Sequence, residues 1–404
     1  MKKILNFLFI VAPIIGIYKI PGTSVSLENL IFLLLFNFSF FSILARPSKG
    51  ALILTKPIKM YIIYISYALV ILNFNTLFFQ LESSFSYLYH VLLMFYLILF
   101  FRKQIFDPII CYKYYKILTL ISCCLVLIQF IVYKINGQML FMVPKSMIRH
   151  TIGEPYRPAA LFLEPTHFAN YAVIFLILSM FSQFETKKSK IVPVFVVSSL
   201  FFCGSSSSFV YILVYIFLLF VSLKNGIKKT VLLVLIVSAA FLVFAIERER
   251  VMFTINHLIE MDTRHLTSGG VKVLRGFIIY SLMPTNLQIF GGGLGCTSQI
   301  INKYNIHTIF DPWKEPDSPY ISAMSELLTS GGILGTIVFL SFLGILFFSK
   351  SFCSKALVII YLFMMSANEV IYNDPFVIII MFAICEVELN SKRGQICVVN
   401  RKFL

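Results

Sequence analysis

GEPYRPAALFLEPTHFANYAVIFL, residues 153–176, sets a charged, proline-rich approach directly against a long apolar run. Pro165 lacks an amide proton and has a fixed φ, so it suits the first turn of a helix. Glu164 then stands at the helix start, where the macrodipole favours a carboxylate. His167 and Tyr171 follow at i+3 and i+7, so they are predicted to share one stripe with Glu164. Arg157 lies two helical turns earlier, with apolar residues between. An ionisable group at the edge of an apolar helix is a functional candidate by default. The competing reading is an Arg157–Glu164 pair that fixes the loop to the bundle.

Working outward, the chain repeats this apolar pattern. Runs lie at about 4–20, 27–45, 58–79, 84–101, 113–133, 159–181, 189–204, 207–223, 229–246, 319–348, 355–373 and 375–389. Of 404 residues, 59% are hydrophobic and 13% charged, and mean hydropathy is +0.89. A soluble domain is about 25% charged, and a membrane span takes roughly 20 apolar residues. These proportions exclude a soluble enzyme, a disordered tail and a DNA-binding module. The fold expected is an all-α polytopic membrane protein of about 12 transmembrane helices, with a large extracytoplasmic loop between helices 9 and 10. Residues 1–246 would hold helices 1–9 and an outer loop at 134–158, 247–318 the large loop, 319–389 helices 10–12, and 390–404 a cytoplasmic tail.

Charge supports an orientation. There are 34 Lys and Arg against 18 Asp and Glu, a net charge of +16. With the N-terminus inside, about two thirds of the basic residues fall in short cytoplasmic segments, the positive-inside bias. Both termini are then cytoplasmic. The basic excess is read as topology signal and anionic-lipid contact rather than nucleic-acid binding. The eight cysteines include no CxxC pair, so neither a metal site nor a disulfide framework is expected. The opening MKKILNFLFIVAPIIGI lacks a small-x-small cleavage site and is read as a retained first helix.

Later stretches add candidates. HLTSGGVKVLRGFIIYSL (265–282) reads as a short amphipathic helix with Lys272 and Arg275 on one side. IFGGGLGCTSQI (289–300) offers Gly293 and Gly295, either as a tight turn or as backbone amides that cradle an anion. In DPWKEPDSPYISAMSELLTSGGILG (311–335), Ser318-Pro319 reads as a helix cap and first turn, with Asp317 at the positive end. Glu326 follows about two turns further in, flanked by Ser322 and Ser330. An unpaired buried charge there costs several kcal/mol. Gly331, Gly332 and Gly335 permit a kink or close helix packing. Asn368, Glu369, Asn373 and Asp374 form another polar group, a candidate to close the same cavity. Arginines suit bidentate phosphate binding, and Arg157, Arg264 and Arg275 are the ones selected. Ser205 to Ser208 carry no triad pattern.

YRPAALFLEPTHFANY (156–171), Ser268-Gly269, FGGGLG (290–295) and DSPY…E…GGILG (317–335) occur in an order that resembles one family. The chain is similar to the bacterial oligosaccharide repeat-unit polymerases of O-antigen and capsule synthesis, the Wzy type, within the group that also holds the O-antigen ligases. Many relatives carry His where this chain has Asp317. The resemblance implies a metal-independent glycosyltransferase without cofactor in the bacterial cytoplasmic membrane. Its substrates would be polyprenyl-pyrophosphate-linked oligosaccharides. The growing glycan would leave one lipid and join a new repeat unit at the outer face. A flippase and a chain-length regulator would be its protein partners, and nucleic acid is not expected.

On that reading Glu164, then Asp317, serves as base for the acceptor hydroxyl. Arg157 and Arg275, supported by Arg264, stabilise the leaving pyrophosphate. His167, Tyr171, Gly293, Gly295 and Glu326 complete the substrate site. Two alternatives stay open: an O-antigen ligase that moves glycan to lipid A core, and a lipid-linked glycan flippase or other transporter.

Overall fold

The computed structural model describes residues 1–16, 18–19, 26–45, 55–81, 85–143, 156–184, 189, 191–224, 226, 234, 238, 269–311, 319–367 and 371–401. The described chain is all-α, with one isolated β-bridge between Lys19 and Ser26. The helices are α1 (Lys2–Ile15), α2 (Leu27–Ala45), α3 (Lys56–Phe79), α4 (Phe85–Tyr96), α5 (Pro108–Asn136), α6 (Pro165–Phe181), α7 (Ile191–Phe202), α8 (Ser206–Ser222), α9 (Gly269–Leu282), α10 (Thr285–Phe290), α11 (Thr297–Lys303), α12 (Ala323–Phe347), α13 (Phe352–Ala367) and α14 (Asp374–Arg401). A π-helical stretch, Leu97–Phe101, carries α4 on into Arg102–Gln104.

The expectation of about twelve spans is overturned. Among the described residues, four helices are long and apolar enough to cross a membrane: α2, α3, α5 and α12. Apolar run length had overstated helix length. The run 159–181 opens with irregular backbone, so α6 has only 17 residues. At 1.5 Å per residue it spans about 26 Å, short of the roughly 30 Å hydrocarbon core. Helices α7, α8 and α13 have 12, 17 and 16 residues. The run 84–101 is split by the π-helical stretch. The last run continues as a 28-residue helix through Glu386 and Glu388, and α1 has 14 residues including Lys2 and Lys3. The run 229–246 lies outside the described residues except for 234 and 238. What stands is an all-α, multi-span membrane protein.

Helix α6 explains the core. It is apolar on every side, so no face demands water or prefers lipid. Its residues Phe168 to Ser179 are all buried, and it packs against α5, α7, α8, α13 and α14. The first half of α14 is buried in the same way, from Phe376 to Ile384. Exposed apolar side chains fall on the outer helices instead, as with Leu30, Phe41 and Leu44 on α2 and Val70 and Leu77 on α3.

Helix α6 leads from Glu164 at a cavity to Gln183, and α14 from Asp374 at the same cavity to Glu386, which meets Gln183, so the bundle has two distinct ends. One gathers Lys2, Arg102, Asp107, Gln183 and Glu386. The other gathers the starts of α2, α6 and α14.

Helices α3, α10 and α12 are tied together by backbone engagement. Gly332 (φ 62, ψ −170) breaks α12, which strands carbonyls that a continuous helix would satisfy. Gly292 N donates to Thr329 O at 2.8 Å and Gly293 N to Ser330 O at 2.9 Å. Tyr67 of α3 donates its hydroxyl to Phe290 O at 2.7 Å and Gly331 O at 3.2 Å. Asn75 donates to Gly291 O at 2.9 Å. Only glycine allows this approach: a Cβ on Gly291 would stand 2.2 Å from Ser330 O, and Gly291 itself has φ 89. A broken helix in an apolar bundle is tolerable when its freed groups find such partners.

Candidate functional site

Glu164 is the N-cap of α6, in extended backbone, with Pro165 in the first turn, as the sequence predicted. Its carbonyl accepts from His167 N at 3.1 Å and Phe168 N at 3.3 Å, while its carboxylate makes no capping hydrogen bond. The preceding loop is fixed by Gln129 of α5, which donates to Leu140 O at 3.0 Å and accepts from Ala160 N at 2.8 Å. One side chain thereby sets the approach to the helix.

Glu164, His167 and Tyr171 line one cavity of about 470 Å³, so the predicted stripe exists. Glu164 and His167 are exposed to it. Tyr171 is buried and donates its hydroxyl to Ile10 O of α1 at 3.0 Å. Asn170, also lining the cavity, accepts from Tyr211 at 2.6 Å. Asn373 and Asp374 line the opposite wall. Asn373 Oδ1 accepts from Phe376 N at 3.1 Å, capping α14. Burial pushes the Asp374 carboxyl up to about 7. Asn368 and Glu369 lie outside the described residues.

Glu28 and His90 are among the lining residues that drew no attention in the sequence. Glu28 opens α2 as Glu164 opens α6, an acid ahead of an apolar run; that shared signature was the available signal. His90 of α4 is held by both ring nitrogens, Nδ1 to Asn29 Oδ1 at 3.1 Å and Nε2 to Tyr372 O at 3.0 Å. A carbonyl only accepts, so Nε2 carries a proton. A neutral ring then needs Asn29 to turn its NH₂ toward Nδ1.

Helix α9 forms where the amphipathic run predicted one, and its two cations part company. Lys272 reaches the cavity, 4.9 Å from the Tyr320 ring centroid. Arg275 is fully buried. Its Nε lies 3.2 Å from Asp311 Oδ1, and a terminal nitrogen donates to Pro319 O. Burial lowers the Arg275 pKa, which hydrogen bonding and charge from Asp311 oppose. Burial also raises the Asp311 carboxyl, but hydrogen bonds from the Thr308 hydroxyl and amide, and from Arg275, leave it below its ordinary value. Gly276 lets α9 cross α12 closely, since a Cβ there would meet Ser325 Cβ at 2.1 Å.

The remaining candidates lie elsewhere. Arg157 packs against Gly204, whose added Cβ would be 3.6 Å from the Arg157 Cγ, and it does not line the cavity. The Gly-rich stretch is a packing turn: the Gly293 amide serves Ser330, and Gly293 and Gly295 both have positive φ. Helix α12 starts at Ala323 with Ser322 as its cap, four residues later than Ser318-Pro319 suggested. The Pro319 carbonyl is engaged by Arg275, and Tyr320 has φ 28, which holds this segment out of the helix. Glu326 is therefore in the first turn. It is buried and accepts from the Tyr87 hydroxyl of α4 at 2.7 Å. Arg264 and Asp317 lie outside the described residues. No group of three or more His, Cys, Asp or Glu suited to a metal ion occurs among the described residues.

Compared with known proteins, the chain matches no family model and no curated protein.

Proposed function

We propose that this protein is a membrane glycosyltransferase that polymerises polyprenyl-pyrophosphate-linked oligosaccharides into O-antigen or capsular polysaccharide, as its resemblance to the Wzy-type polymerases implies. The observation that carries the reading is the meeting of two distant stretches at one cavity. The Glu164–His167–Tyr171 stripe of α6 faces Lys272 of α9 and Asp374 of α14. A carboxylate base and a cation at the end of an apolar bundle fit transfer from a lipid-borne pyrophosphate to a hydroxyl.

In this reading Glu164 accepts the proton of the acceptor hydroxyl. The new oxygen–anomeric carbon bond forms as the bond to the pyrophosphate breaks, and the electron pair leaves on the phosphate oxygen. Lys272 stabilises that developing charge. Arg275 is engaged by Asp311 and Pro319, so it positions α9, and through it Lys272. Glu326 holds α12 to α4 through Tyr87. Arg264 and Asp317 keep the roles that the resemblance implies. On the same resemblance the termini would be cytoplasmic and the cavity would open at the outer face of the bacterial cytoplasmic membrane.

Deletion of the protein tests this reading through the length distribution of surface glycan. The expected result is single repeat units, with long chains restored by the wild-type protein. Unchanged long polymer would remove the reading. Complete loss of attached glycan, with lipid-linked polymer accumulating, would indicate a ligase instead.

A further inference from the structure

Three helix starts each bring an acid to the same cavity: Glu28 in the first turn of α2, Glu164 ahead of α6, and Asp374 opening α14. Glu28 lies against Gly16, where an added Cβ would stand 2.4 Å from its Oε2. Its Oε1 is buried and has no hydrogen-bond partner among the described residues. A buried carboxylate oxygen without a donor is costly, and a bound ligand that donates hydrogen bonds removes the cost. Lys272 is the one lysine or arginine among the described lining residues, beside His90 and His167. Acids therefore outnumber fixed cations.

That balance has a chemical consequence. A further anion placed between these carboxylates meets repulsion at short range and reduced dielectric. Sugar hydroxyls and ammonium groups do the opposite. Hydroxyls and ammonium groups both donate to carboxylates, which the lining supplies.

We propose that this cavity binds the non-acidic sugar end of a glycan, neutral or amino-bearing, and rejects uronic-acid sugars, with Glu28 and Asp374 setting that choice. The proposal rests on the reading of the cavity as a glycan site. It places the pyrophosphate toward Lys272 and the acceptor sugar among the carboxylates.

The full chain in detergent micelles, buffered above the Asp374 pKa of about 7 so that this acid is ionised, is titrated with three disaccharides of matched size, one neutral, one amino-bearing and one ending in a uronic acid. Saturation-transfer NMR reads binding. The neutral and amino sugars are expected to bind in the millimolar range, and the uronate at least about tenfold more weakly, or about 1.4 kcal/mol. The paired change Glu28→Gln and Asp374→Asn should bring the uronate to within about threefold of the neutral sugar, or about 0.7 kcal/mol. Asp374→Asn alone, read by the same ratio, serves if the double variant does not fold. Equal binding of uronate and neutral sugar to the wild type overturns the proposal. So does binding of none of the three, or discrimination that survives the substitutions. A deletion strain that keeps long polymer removes the polymerase reading and leaves this result standing. Equal binding of uronate and neutral sugar by the wild type, in a protein whose deletion abolishes polymer, removes this proposal alone.

Discussion

Among the described residues, the fold treats three carboxylates at the Lys2 end and the three that line the cavity in opposite ways. At the Lys2 end all three are engaged. Asp107 caps α5 through Ile109 N and Ile110 N and meets Lys2 at 3.3 Å. Glu386, almost fully buried, accepts from Gln183 N at 2.9 Å and Ser351 at 3.3 Å. Glu388 accepts from Arg102 at 2.8 Å. At the cavity end, Glu164 makes no capping bond and Glu28 Oε1 lacks a partner among the described residues. Asp374 is displaced upward in pKa by burial. Acids of the first kind join helices. Those of the second kind stay available to a ligand, and the fold bears the cost of leaving them so.

The comparison breaks or holds most sharply at Glu164. Glu164→Gln should cut polymer formation by about 10²- to 10⁴-fold, the scale of a lost general base, with membrane levels unchanged on an immunoblot. Next is Arg275→Met, which removes one partner of a buried pair. Such losses run at about 3–5 kcal/mol, and the partial exposure of Asp311, 17%, puts this case at the lower end. A fall in the thermal unfolding midpoint of the purified protein measures it.

The same pair carries a pH signature. The Asp311 carboxyl is held below its ordinary value in the folded protein. Its stabilisation is therefore complete above the unfolded carboxylate pKa of about 3.9 and is lost as pH falls through the lower folded value. Hydrogen exchange across 269–282 should accelerate as pH drops below about 4, after correction for intrinsic rates, and Asp311→Asn should remove the transition.

At the engaged end, Glu386→Ala leaves the Gln183 amide without its acceptor and should cost about 1–3 kcal/mol. The expected readout is a lower unfolding midpoint with glycan synthesis retained by the protein that stays folded. Lys2→Ala is the smallest effect, below about 1 kcal/mol, because the ion pair is exposed.

The local parts of this arrangement were legible in the sequence. Pro165 marked the start of α6, and the spacing of Glu164, His167 and Tyr171 gave one stripe. The glycines of GGILG marked a kink, found at Gly332. Asn373 and Asp374, two of the four polar residues noted near the last turn, line the cavity. The illegible parts all depend on distant partners. Nothing near Arg275 announces that Asp311 and the Pro319 carbonyl fold onto it. The glycine-rich stretch could be a tight turn or an anion cradle, and the choice depended on α12, whose two carbonyls take the Gly292 and Gly293 amides. The number of spans failed for a related reason. Apolarity marks a segment for burial without saying whether protein or lipid covers it, and α6 is covered by protein.

The central claim is that the cavity acids serve chemistry and the acids at the other end serve the fold. The most direct measurement pairs Glu164→Gln with Glu386→Ala in a deletion strain, reading surface-glycan length and the unfolding midpoint of each purified protein. The account predicts single repeat units with a wild-type midpoint for Glu164→Gln, and long chains with a lowered midpoint for Glu386→Ala. Full-length glycan from the Glu164 variant, or a midpoint lowered as far as that of the Glu386 variant, would contradict it.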